Sequence, residues 1–221
     1  MIAQELHPRI IENKDWATLV FLFAIAFIVI AKGAFESRFN DFIRLIVSDK
    51  YIKIYRESSH LISGFNVLLV AVNLITLSFF IQLVICHLHY GEKTDWILFI
   101  RIFTLLSVFI FSKFLIEKII AAIFGIEEVI EQFSLQKVTF RTYMGLFLFP
   151  VTLMLFYSDY ITNFIIYSII IILLTINLLA YFISLKIYQN FIFSKFFYFI
   201  LYLCALEIAP YYFIYYLITK N

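Results

Sequence analysis

Glycine and proline are scarce: the 221 residues hold five and three of them, which leaves little loop chemistry. No Pro/Gly-rich linker, internal repeat or low-complexity tract divides the chain, so residues 1–221 read as one domain. None of Gly33, Gly64, Gly91, Gly125 and Gly145 lie four apart, which excludes a small-xxx-small helix seam built on glycine. A phosphate-cradling Gly loop, HExxH and GxSxG are all missing, so ATP hydrolysis, zinc proteolysis and nucleophile-elbow catalysis have no support. Charge is equally sparse. Only 14% of residues are charged and the net charge is +2, so a polyanion such as nucleic acid finds no global attraction. The two cysteines, Cys86 and Cys204, fall near the end of one apolar run and near the middle of another, which argues against a disulfide between them.

What the chain has instead is apolar surface: 64% hydrophobic residues, with 28 Phe and 15 Tyr, and a mean hydropathy of +0.98. One water-soluble core cannot bury that much, so lipid belongs to the solvent. Polar breaks divide the apolar residues into six candidate spans, 16–31, 61–86, 96–111, 144–157, 161–185 and 196–218. Crossing a bilayer takes about 20 helical residues. The second, fifth and sixth runs meet that. The first needs residues 33–35, the third needs the segment after Phe111, and the fourth needs Phe140 and a snorkelling Arg141. The expected fold is an all-α polytopic bundle of about six spans.

Lys and Arg set an expected orientation. Twelve lie in the connections after the odd-numbered spans: Lys32, Arg38, Arg44, Lys50, Lys53 and Arg56, then Lys113, Lys118, Lys137 and Arg141, then Lys186 and Lys195. The other side holds four, Arg9, Lys14, Lys93 and Lys220. By the positive-inside rule both termini face away from the cytoplasm. Glu5, Glu12 and Asp15 precede the first span where a signal peptide would carry basic residues, so that span reads as an uncleaved helix.

Two of the cytoplasmic connections carry helical periodicity. After the first span, Phe35, Phe39, Phe42, Ile43, Ile46 and Val47 recur on one face while Glu36, Arg38, Asp41 and Arg44 occupy others. This is either an amphipathic helix on the inner leaflet, with Arg38 and Arg44 toward phosphates, or a helix packed under its own bundle. After the third span, Ile126, Val129, Ile130 and Phe133 run beside Glu127, Glu128 and Glu131. Anionic lipid repels such an acidic face, so a protein contact, or packing under its own bundle, fits it better than a membrane surface.

Glu207 sits near the centre of the sixth span, where inserting a carboxylate costs at least ~2.5 kcal/mol. Pro210 follows and should kink that helix; Pro150 is the corresponding kink candidate in the fourth span. Asn73 falls at a similar depth and Arg101 enters from the outer side, so either is a candidate partner for Glu207. Asn73, Thr76, Asn177 and Glu207 are the residues that would line a transport path. Cys86, His87 and His89 have metal-ligand side chains but too few of them at unsuitable spacing, so no metal or other cofactor is expected. Lys113 and Glu117, one turn apart, are placed to pair at the inner interface.

Residues 197–210, Phe-Tyr-Phe-Ile-Leu-Tyr-Leu-Cys-Ala-Leu-Glu-Ile-Ala-Pro, with the core LCxLExxP, resemble the C-terminal signature of an uncharacterised family of bacteroidete integral membrane proteins. Lys113, Phe124, Arg141, Gly145 and Pro150 are similar to that family's middle portion. The resemblance covers roughly the last 130 residues and implies an inner-membrane location; it brings no activity. By analogy with other families of that phylum, envelope machinery such as type IX secretion or gliding is the associated setting. The expected role is a non-enzymatic multi-pass subunit supporting a larger assembly, with the bilayer and other membrane proteins as partners. The alternative is a small transporter or ion-conducting protein that uses Glu207.

Overall fold

The computed structural model describes residues 14–44, 63–125, 127–158 and 163–194. Among them every regular element is a helix: α1 Asp15–Ala34, α2 Glu36–Ile43, α3 Gly64–His87, α4 Trp96–Phe124, α5 Glu127–Tyr157 and α6 Asn163–Ser194. Local chemistry sets several of their ends. Asp15 in the first turn of α1 and Lys32 in its last turn complement the helix dipole. Ser63 caps α3 by accepting from the Asn66 amide, and Asp95 caps α4 by accepting from the amides of Ile97 and Leu98. Gly125 closes α4 at φ 61, the left-handed conformation a helix C-terminus favours and a side chain would strain.

Four helical segments are long and apolar enough to cross a membrane: Asp15–Ala34, Gly64–His87, Trp96–Ile123 and Phe133–Tyr157. Their interhelical contacts show that they alternate in direction. Trp16, at the start of α1, stacks on Phe79 late in α3, while Phe35, just after α1, meets Phe65 at the start of α3. Phe99 early in α4 lies 4.4 Å from Phe79, and Phe21 of α1 packs on Phe156 at the far end of α5. Helix α3 is central, with its most extensive contact against α5 and further contacts with α1 and α4.

Lipid tails are as apolar as the helices, so burial from water does not drive these helices together; close packing and polar contacts must. Ring packing supplies much of it. Trp16, Phe21, Phe79, Phe99 and Phe156 form one buried aromatic cluster, and Phe39, Phe42, Phe65 and Tyr143 belong to a second at the opposite end. Away from these clusters the outer faces are apolar and exposed, as at Leu105, Val108 and Phe111 on α4 and Phe164 on α6. Those faces suit acyl chains.

The helices run longer than the apolar runs that announced them. The third span continues past Phe111 to Phe124, so Lys113 and Lys118 belong to its end and not to a connection. Phe140 and Arg141 are part of α5, which gives the fourth span its full length. The acidic stretch is not a separate amphipathic helix: Glu127 begins α5 itself, because the left-handed Gly125 turns the chain at once and the helical sequence from Glu127 runs on unbroken. The expected fifth span, 161–185, falls largely on α6, whose stretch Asn163–Leu178 is a shorter apolar helix. The sixth, 196–218, lies outside the described residues.

Candidate functional site: polar side chains inside the bundle

Buried polar side chains run along both α3 and α5. Asn66, Asn73, Thr76, Ser78 and Gln82 on α3 are buried, as are Ser134, Gln136, Thr139, Thr142 and Thr152 on α5. Unpaired, each would be costly inside a membrane. The hydroxyls of Thr76 and Ser78 donate to the carbonyls of Val72 and Leu74 one turn back, and those of Thr139 and Thr142 donate to Leu135 and Val138 in the same way. Gln82 is fully buried and its amide nitrogen donates to the carbonyls of Lys93 and Asp95, which fastens the loop before α4 to the end of α3. The same end is closed by Trp16 Nε1 donating to the Thr94 carbonyl, by Lys93 Nζ donating to the Ser158 carbonyl, and by a hydrogen bond between Thr18 and Tyr157.

Asn73 faces α5. It packs directly on Gly145, whose missing side chain makes the room: a Cβ there would stand 2.8 Å from Asn73 Cγ. Among the described residues, four buried polar atoms have no hydrogen-bond partner, Gln82 Oε1, both amide atoms of Gln136, and Thr152 Oγ1.

Toward the opposite end, Glu117 of α4 is the one buried charged side chain among the described residues. Its carboxylate accepts from Ser134 Oγ at 2.9 Å and pairs with Lys137 Nζ at 3.5 Å, both on α5. The Lys137 ammonium also lies 5.0 Å from the centre of the Phe133 ring. At the foot of α3, Arg38 of α2 donates to Asn66 Oδ1 and covers the face of Phe65. Tyr143 donates to the Ile43 carbonyl and so ties the end of α2 to α5.

These positions bring some of the expected site residues together and separate others. Phe39 and Phe42 point into the protein; Arg38 turns inward with them, while Arg44 is exposed. Arg101 is exposed on α4, away from Asn73 in the interior. Asn177 is exposed on α6, and its amide donates to the Leu173 carbonyl of its own helix. Pro150 sits within α5, which continues to Tyr157. Glu127 and Glu131 are exposed at the start of α5. Ile46, Glu207 and Pro210, and the side chain of Glu128, lie outside the described residues. Cys86 and His87 are half-buried and His89 is exposed at φ 63; among the described residues no group of three His, Cys, Asp or Glu is placed to hold a metal.

Sequence reasoning missed Ser134, Lys137, Gln136 and Thr152. One available signal was the seven-residue spacing of Asn66 and Asn73, which puts both on one helix face. Another was that Gly145 is the only glycine within its span.

Four membrane-length helices, the described residues being helical throughout their regular structure, define the class: a helical, multi-pass membrane protein. More particularly, a family model described as a domain of unknown function (DUF4271) matches residues 17–218, and the chain belongs to that family. No curated protein and no solved structure matches it.

Proposed function

We propose that this chain is a non-enzymatic inner-membrane subunit that supports a larger membrane assembly. The observation that carries this reading is the acidic start of α5. Glu127 and Glu131 are exposed on turns that precede the apolar segment Phe133–Tyr157, so the helix projects carboxylates beyond the hydrocarbon. Anionic headgroups repel such a surface, and a protein partner with basic residues would not. The interior is consistent with a supporting role: most of its hydroxyls bond their own helices, and Gln82 and Glu117 join one element to the next. In this reading the chain has about six spans, residues 161–185 and 196–218 supplying the last two, and both termini are periplasmic. The resemblance to a bacteroidete family makes envelope machinery, such as type IX secretion or gliding, the assembly to examine first. Purification in a gentle detergent followed by native mass spectrometry tests the proposal. A reproducible protein partner, released by Glu127→Lys with Glu131→Lys, is the expected result; the lone chain in every preparation overturns it.

A second reading, a small transporter coupled through Glu207, draws on the unpartnered polar atoms of Gln136 and Thr152 inside the bundle. Proton or cation flux into liposomes carrying the purified chain, abolished by Glu207→Gln, would favour it over the supporting role.

A further inference from the structure

Helix α4 is the least covered of the four membrane-length helices: 11% of its apolar stretch is buried, against 61% for α3. Its inward side is accounted for, since Phe99 meets Phe79 of α3 and Glu117 meets Ser134 of α5. On the outward side Ile97, Arg101, Thr104, Val108, Phe111 and Leu115 are all exposed, and they alternate four and three residues apart. That spacing draws one continuous seam along a helix, the pattern with which a second helix interlocks. Arg101 is the one charge among those six side chains. Its guanidinium has neither a hydrogen bond nor an ion pair among the described residues. Counting about 1.5 Å per residue, it sits about 8 Å inside the start of the apolar segment Trp96–Ile123.

We propose that this seam docks a transmembrane helix of a partner subunit that presents an Asp or Glu to Arg101. Charge complementarity selects the occupant. Arginines within membrane spans characteristically pair, and a planar guanidinium meets a carboxylate through two N–H donors at once. Thr104, one turn from Arg101, is small enough to let a second helix come close. A second copy of this chain is the wrong occupant, because two equal seams related by a two-fold axis along the membrane normal would bring Arg101 to Arg101. A headgroup phosphate reached by snorkelling would serve the charge alone and leave the seam unfilled. The inference rests on the supporting role proposed above and names the chemistry of the partner at this face.

The test is site-specific photo-crosslinking in native membranes, with a benzophenone amino acid placed in the full chain at position 108 on the seam and, as a control, at position 172, exposed on α6. Position 108 should give a discrete adduct whose cross-linked peptide is a membrane span bearing an Asp or Glu, and position 172 should not give it. With Arg101→Leu that adduct should fall by roughly three- to thirtyfold, the range for one polar contact between membrane helices. Arg101→Lys should keep most of it. Arg101→Glu should abolish it, and changing the partner's carboxylate to Lys should bring it back, which separates a lost charge pair from a misfolded chain. The proposal is overturned by lipid adducts alone at position 108, by a cross-link to residues 196–218 of the same chain, by an adduct indifferent to Arg101, or by a partner span without a carboxylate. If native mass spectrometry recovers a partner while position 108 captures none, the supporting role stands and this interface falls.

Discussion

Asn73 of α3 rests on the backbone of Gly145 of α5, so near that a Cβ at position 145 would lie 2.9 Å from the Asn73 Cβ. The contact joins the two helices that share the most extensive interface in the bundle. An added methyl group at that point meets the base of the Asn73 side chain, which cannot swing clear as a flexible tip would. Gly145→Ala is therefore expected to destabilise the protein by about 1–3 kcal/mol, read as a lower thermal midpoint in detergent. Asn73→Ala should recover part of that loss when combined with Gly145→Ala, because the two side chains compete for one space. Strict additivity of the two changes would show that the helices do not meet there.

Glu117 presents a different energetic balance. Its carboxylate is buried between Ser134 and Lys137, and both partners sit on the neighbouring helix. Glu117→Ala removes a hydrogen bond and an ion pair while leaving Lys137 half-buried, at an expected cost of about 1–3 kcal/mol. Lys137→Ala should also destabilise. Ser134→Ala should cost less, about 1 kcal/mol, because Lys137 still balances the charge. Chemical or thermal unfolding of the three variants in detergent gives the ranking; Glu117→Ala as stable as wild type would contradict the contact.

The expected orientation places Glu92, exposed just before α4, outside the cell membrane, and Lys50 and Glu128 inside it. Single cysteines at these positions, in a chain whose Cys86 and Cys204 have been replaced by Ser, should separate under a membrane-impermeant thiol reagent. Position 92 should label in intact spheroplasts and positions 50 and 128 only after lysis. Labelling at 50 from outside reverses the topology.

Glu207 lies outside the described residues, but its sequence position makes a clear forecast. In a supporting subunit, Glu207→Gln keeps hydrogen-bonding capacity and removes only the ionisable proton. Yield, thermal midpoint and partner recovery should then match the wild type. In a proton-coupled transporter the same change would leave a folded, inserted protein without flux.

Composition and apolar run length were enough to establish an all-helical membrane chain, because lipid demands that each span satisfy its own backbone, and a helix does so. Helix ends were less legible: the charged Lys113, Lys118 and Arg141 looked like connection, yet long aliphatic stems let such residues occupy the ends of membrane helices. Polar partners were legible least. From sequence, Glu117 had a neighbour in Lys113 one turn away; in the fold its carboxylate also meets Ser134 and Lys137, brought to it by the antiparallel register of α4 and α5. Asn73 and Arg101 were both candidate partners for Glu207, which lies outside the described residues; the fold shows Asn73 resting on Gly145 and Arg101 exposed on α4. Hydrophobic periodicity reports which solvent a face prefers, and here nearly every face prefers lipid. Which polar group meets which is a property of helix register and rotation, and only the packed bundle decides it.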